Sequence, residues 1–169
     1  MTVTSKRETI IEYIRETIIP KINGEGNYNL SVTNITRRFR PFDEYQNYPA
    51  VFISDDLPVD YTPLTNTEYT TGKDTQNIQE GMQVLINGYV QLDETDSGDT
   101  GKLSTELNKI YSDLIIAMFS DLTFGDNVCS VALISTKNSI DWIGQRIGYV
   151  TQIYSIKYDF EPTAATPIT

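Results

Sequence analysis

Residues 146–160, RIGYVTQIYSIKYDF, constrain the fold more than any other stretch. Val150, Gln152, Tyr154, Ile156, Tyr158 and Phe160 fall on one side of an extended chain, with Thr151, Ile153, Ser155, Lys157 and Asp159 on the other. A period of two held this long means a strand with one buried face and one half-polar face. Such strands belong to antiparallel or mixed sheets that are covered on one side. The buried side needs a layer against it.

Two segments can supply that layer. Ser5 and Glu8 have the spacing of a capping box, and Ile10, Ile11, Ile14, Ile18 and Ile22 recur behind them at helical intervals. This predicts a first helix over about 5–22, kinked or ended by Pro20 and stopped by the glycines of NGEGN. Leu103, Leu107, Ile110, Tyr111, Leu114, Ile115, Met118 and Phe119 repeat at threes and fours. They predict a second amphipathic helix of about 20 residues, roughly 30 Å long.

The remaining strands are predicted at 29–39, 48–54, 78–93 and 127–136, from β-branched content and alternation. In 78–93, Met82, Val84 and Ile86 share a face, and Gly88 reads as a bulge that switches the face before Val90 and Leu92. Residues 55–77 show neither period and form a long arm, in which TEYTT is a candidate hairpin strand. The element order is therefore α-β-β-β-α-β-β. It implies one α+β domain over 1–160, with an antiparallel or mixed sheet of about four to five strands and two helices on one face. A polar tail, 161–169, follows.

Charge and composition narrow the function. Thirteen basic residues against twenty-three acidic ones leave a net charge of −10, a field that repels nucleic acid and anionic membranes. With no histidine, every His-dependent triad and most zinc sites are excluded. Cys129 is the single cysteine, so no intrachain disulfide forms; flanked by Val128 and Val131, it reads as a small core residue. No apolar run reaches the roughly 20 residues that span a bilayer. The N-terminus mixes charge among its isoleucines and does not read as a signal peptide, so a cytoplasmic protein is the default expectation.

DETDSGDTGKLS, residues 93–104, has the look of an ion or phosphate loop. A calcium loop with its turn at Gly98 requires oxygen ligands at 93, 95 and 97 and a bidentate Glu at 104; the chain has Asp93, Thr95, Ser97 and Ser104. A Walker loop requires Gly at 96 and a hydroxyl at 103, where Asp96 and Leu103 stand. Asp93, Glu94, Asp96 and Asp99 also repel phosphate. The stretch reads instead as an acidic, capped helix start. Neither a cofactor nor a metal nor a catalytic group is expected.

Among other candidates, Asp55 and Asp56 are neighbours on an extended chain and point to opposite faces. Trp142 reads as a packing residue in a loop. Arg37, Arg38 and Arg40 form the dense basic cluster, either a solvated strand end or a patch for an acidic partner, a second copy of this chain included.

Taken in order, several strings resemble the tail terminator (tail completion) proteins of tailed bacteriophages. They are the isoleucine-rich first helix; YPAVFIS after an Arg-containing strand; VLINGYVQLD leading through a polar loop into LSTELNKIYSDLIIAMFSD; DLTFGDNV at 121–128, similar to a D-x-T-x-G-G-x-V turn; and GYVTQIYSIKY. The likeness covers about 5–160, and Asp126 departs from it where a second glycine is common. The resemblance implies a ring-forming, non-enzymatic virion protein of the tail and neck, assembled in the host cytoplasm. It implies a hexameric ring that caps the tail tube, stops its polymerisation and presents the head–tail joining surface. Partners would be the tail tube protein, a neck connector and, where the tail is contractile, the sheath; DNA would pass through the lumen without specific binding. On this reading Arg37, Arg38, Arg40, Tyr61, Tyr69 and Lys73 are candidate subunit or partner contacts. Asp93, Glu94, Asp96 and Asp99 are candidate lumen- or neck-facing acids. Another connector of the neck, stopper or adaptor, is the alternative, and a small ligand- or metal-binding domain using 93–104 a more distant one.

Overall fold

The computed structural model describes residues 5–37, 47–55, 68–71, 76–96, 99–140 and 146–160. Its elements run α1 (Lys6–Tyr13), β1 (Asn34–Thr36), β2 (Ala50–Ser54), β3 (Glu68–Thr71), β4 (Gln76–Gln91), α2 (Thr100–Phe119), β5 (Ser130–Ile140) and β6 (Ile147–Phe160). This is an α+β fold with a mixed sheet. Five strands lie in the order β1-β2-β4-β6-β5, and β3 pairs with β4 beside that path. Only the β1–β2 pairing is parallel among the described ladders; the other pairs are antiparallel.

The long alternation at 146–160 becomes β6, registered without interruption against β4 from Gln91↔Ile147 to Ile78↔Phe160. Val150, Gln152, Tyr154, Ile156 and Tyr158 are buried on the face that meets the helices. Met82, Val84, Ile86, Val90 and Leu92 of β4 and its end join the same core. These residues are all of even number, so no face switch is needed. Gly88 is not a bulge: it pairs with Val51 and Val150 in unbroken ladders. Its role is close approach. A Cβ at Gly88 would stand 2.6 Å from Ile110 Cγ1 and 2.9 Å from Leu114 Cδ1, so α2 can rest on the sheet only where the side chain is missing. The bulge of this sheet lies in β5, where the register shifts between Leu133 and Ser135.

The first helix spans the predicted range but changes form. Ser5 caps it by accepting the Glu8 N–H, and α1 then passes into a π turn (Ile14–Ile18) and a 3-10 turn (Ile19–Lys21). Pro20 carries no N–H for an α ladder, and the Ile19 N–H reaches back to the Ile14 carbonyl. Ile10, Ile11, Ile14, Ile18, Ile19 and Ile22 are all fully buried in one cluster with α2 and the inner face of the sheet. A smaller apolar cluster of Ala50, Phe52, Leu85 and Tyr89 occupies the other face.

Within the arm, Glu68–Thr71 pairs with Gln76–Gln79, so the TEYTT segment is half of a hairpin and adds a strand to the predicted order. Tyr69 stands opposite Ile78 in that ladder. Most of 55–77, with Asp56, Tyr61 and Lys73, lies outside the described residues, as do Arg38, Arg40, Trp142 and the tail 161–169.

Candidate functional site

The acidic stretch is a helix start. Asp99 is the N-cap of α2, its Oδ1 accepting the Lys102 N–H at 2.9 Å. Lys102 Nζ folds back to Asp96 Oδ1 at 2.5 Å, and Asp96 holds the lysine pKa above its usual value through that contact. Asp93 and Glu94 are exposed, and Arg146 approaches Glu94 at 3.6 Å. Arg146 is meanwhile tied to the Leu92 carbonyl through Nε and Nη2. Of the four acids, two are thus used locally and two remain open to solvent. No group of three or more His, Cys, Asp or Glu among the described residues is placed to hold a metal ion.

Arg37 is not a free basic patch. Its guanidinium pairs with Glu8, with Glu12 at 3.2 Å and with Asp55 at 3.6 Å, and Arg7 approaches Asp55 at 3.8 Å. This ties the end of β1 and the end of β2 to α1. For Arg37 these are contacts within the chain.

The 121–128 turn is held by a dense set of hydrogen bonds. Asp121 Oδ1 accepts from the Thr123 N–H and hydroxyl, both at 3.0 Å, and Oδ2 from the Gly125 N–H at 2.9 Å and the Tyr13 hydroxyl at 2.8 Å. These donors, the Tyr13 hydroxyl foremost, stabilise the carboxylate and lower its pKa to about 2. The same contact raises the pKa of Tyr13. The Thr123 carbonyl then accepts from the N–H groups of Asn127 and Val128. Three successive residues turn left-handed: Phe124 at φ 46°, Gly125 at 62° and Asp126 at 65°. Phe124 is buried and stacks on Tyr13 with centroids 6.2 Å apart, while Lys6 Nζ donates to Asn127 Oδ1 at 3.0 Å. The turn is therefore clasped to α1 at two points. Every letter of the D-x-T-x-G string has a physical duty, and Asp126 sits in a conformation that favours glycine.

Two of the buried polar residues have partners that the sequence reading did not assign. Asp113 of α2 is fully buried; its carboxylate accepts the Asn29 and Leu30 N–H groups and the Asn29 Nδ2, at 2.8–3.0 Å. Gln152, also fully buried, donates to the Tyr111 carbonyl at 3.0 Å and accepts the Tyr154 hydroxyl at 2.5 Å. A signal existed for both: each is polar at a position its own periodicity places on the buried face. Cys129 differs from expectation in the other sense. It is exposed, because it precedes β5 at the border of the sheet; its N–H donates to the Lys157 carbonyl at 2.7 Å.

Among the described residues no helix is long and apolar enough to cross a membrane. Large apolar side chains reach solvent at Ile116, Phe119, Leu122 and Ile134. No protein-family model matches the chain, and a comparison with curated proteins gives no match.

Proposed function

We propose that this chain is a structural subunit of a phage tail, a tail terminator that closes the end of the tail tube as a hexameric ring and offers the surface for head joining. The observation that carries the reading is the 121–128 turn. The string that resembles the family is a built device here, with Asp121 accepting four bonds and Phe124 inserted against Tyr13. A second support is the open sheet, whose border strand β5 has no described strand on its outer side.

On this reading the partners are the tail tube protein below and a neck connector above, with the sheath added in a contractile tail. Asp93 and Glu94 keep exposed carboxylates at the start of α2. Turned to the lumen, they repel DNA and let it slide. Arg37, Arg38, Arg40, Tyr61, Tyr69 and Lys73 remain the proposed contacts to neighbours. The chain performs no catalysis in this role.

The test is growth of tail tubes from purified tube protein with and without the chain. Addition is expected to arrest elongation at substoichiometric ratio to tube subunits. Unchanged elongation in the presence of folded chain overturns the reading, as would saturable heat on titration with calcium or magnesium–ATP, the result expected of a binding module.

A further inference from the structure

The last strand of the sheet has an unusual surroundings profile. β5 is eleven residues long, Ser130–Ile140, and pairs on one side with β6. It ends the strand order, so no described strand lies on its outer edge. Antiparallel ladders aim every second N–H and C=O pair outward, and an edge of this length presents a row of them. Residues 134–138 are exposed in succession, so both faces of the strand are open there as well as its edge. Ile134, in the bulge, is 45% exposed and has no partner in the register. Charge is sparse: Lys137 alone among the eleven is charged, in a chain where 21% of residues are. A strip so poor in charge adds little local repulsion to that between two copies of net charge −10.

At the opposite border of the sheet, no described strand lies outside β1 or β3. There β1 contributes three residues outside β2, and β3 contributes four outside β4. Strand directions follow from the pairings. β4 and β5 run one way, while β1, β2, β3 and β6 run the other. In a ring whose axis lies along the strands, each copy keeps those directions. The β5 edge of one copy then meets the β1 and β3 border of the next antiparallel, the more favourable ladder. That contact is head-to-tail, the kind that closes into a ring.

We propose that the outer edge of β5 takes the β1–β3 border of a second copy of this chain, so that the sheet continues from subunit to subunit. The inference deepens the ring reading and rests on it. Ile134 supplies the exposed apolar contact of the joint, and the backbone edge supplies its direction.

The experiment compares the wild-type chain with an Ile134→Lys, Thr136→Lys double variant, and separately with Ser135→Pro, by native mass measurement alone and on tube ends. Both substituted residues of the double variant are exposed, and Ile134 has no ladder partner, so urea unfolding is expected to match wild type. The assembled fraction is expected to fall at least tenfold in both variants. In a Cys129→Ser background, Ser135→Cys with Thr36→Cys is expected to form an intersubunit disulfide. Undiminished assembly by a folded double variant overturns the β5 joint while leaving the ring reading intact. Dimers cross-linked through Ser135→Cys alone also overturn it, since they indicate β5 against β5. A wild-type chain that stays monomeric, even on tubes, sinks the ring reading and the joint with it.

Discussion

Asp113 Oδ2 accepts the Leu30 N–H at 2.8 Å inside the protein, joining the middle of α2 to the loop that leads into β1. The carboxylate also accepts from both nitrogens of Asn29 and has no water-exposed surface. Loop N–H groups that would otherwise be orphaned are satisfied by one side chain. Replacing Asp113 by Asn turns an amide N–H₂ toward these donors. Asp113→Asn is expected to lose about 2–4 kcal/mol, read from urea unfolding, because one acceptor is removed and a buried donor is left unmatched.

The Asp121 carboxylate gives an acid dependence whose sign is fixed. Its folded pKa of about 2 lies below the ordinary 3.8, so its contribution to stability is full above about pH 4. As pH falls from 4 through 2 the contribution is lost. Urea midpoints measured across that window should drop for wild type. For Asp121→Asn they should start lower at neutral pH and show a shallower acid decline. Tyr13→Phe, which deletes the 2.8 Å bond to Asp121, should cost about 1 kcal/mol at pH 7 and move the acid limb upward.

Asp126 carries the last of three left-handed residues, at φ 65°. Asp tolerates this region better than most side chains, yet glycine adopts it without strain. Asp126→Gly is therefore expected to stabilise the turn by up to about 1 kcal/mol, the relief of backbone strain being partly offset by a freer unfolded chain. Gly125→Ala should act oppositely, since its Cβ would meet the Tyr13 ring at 3.0 Å as well as face a φ of 62°. Thermal unfolding of the pair tests the conformational account, which fails if both shift the midpoint the same way.

At the helix–sheet contact, Gly88 and Gly148 let α2 lie close. A Cβ at Gly148 would approach Leu107 Cδ1 to 2.9 Å, and one at Gly88 would meet Ile110 at 2.6 Å. Each Gly→Ala change is expected to destabilise by about 1–3 kcal/mol through overpacking, Gly88 more than Gly148. A partner without that atom should relieve it: Ile110→Ala deletes the Cγ1 that the new Cβ would meet, so Gly88→Ala should cost less in an Ile110→Ala background than in wild type if the clash is local.

Legibility in the sequence followed the kind of force involved. β6 and α2 were readable because their apolar residues repeat at the period of the element, and Asp99 because a capping acid before a periodic run has few other uses. The role of Gly88 was missed because its neighbours Ile110 and Leu114 come from another element, over twenty residues away in the chain. Asp113 lies three residues after Ile110 and four before Ala117, on the apolar stripe itself, so its burial could be suspected but its partners in 29–30 could not. The π turn at 14–18 answers Pro20 and the packing of six isoleucines together, a combination that periodicity alone does not report. The ion pairs of Arg37 were not legible because its three acidic partners sit in two other segments.

The central claim, that this chain closes a tail tube, is tested most directly by where it sits. Tubes assembled from purified tube protein, incubated with gold-labelled chain and viewed by negative stain, should carry label at one end only, as a ring of the tube's own diameter. Label scattered along the tube wall, or absent from tubes while the chain remains folded, would contradict it.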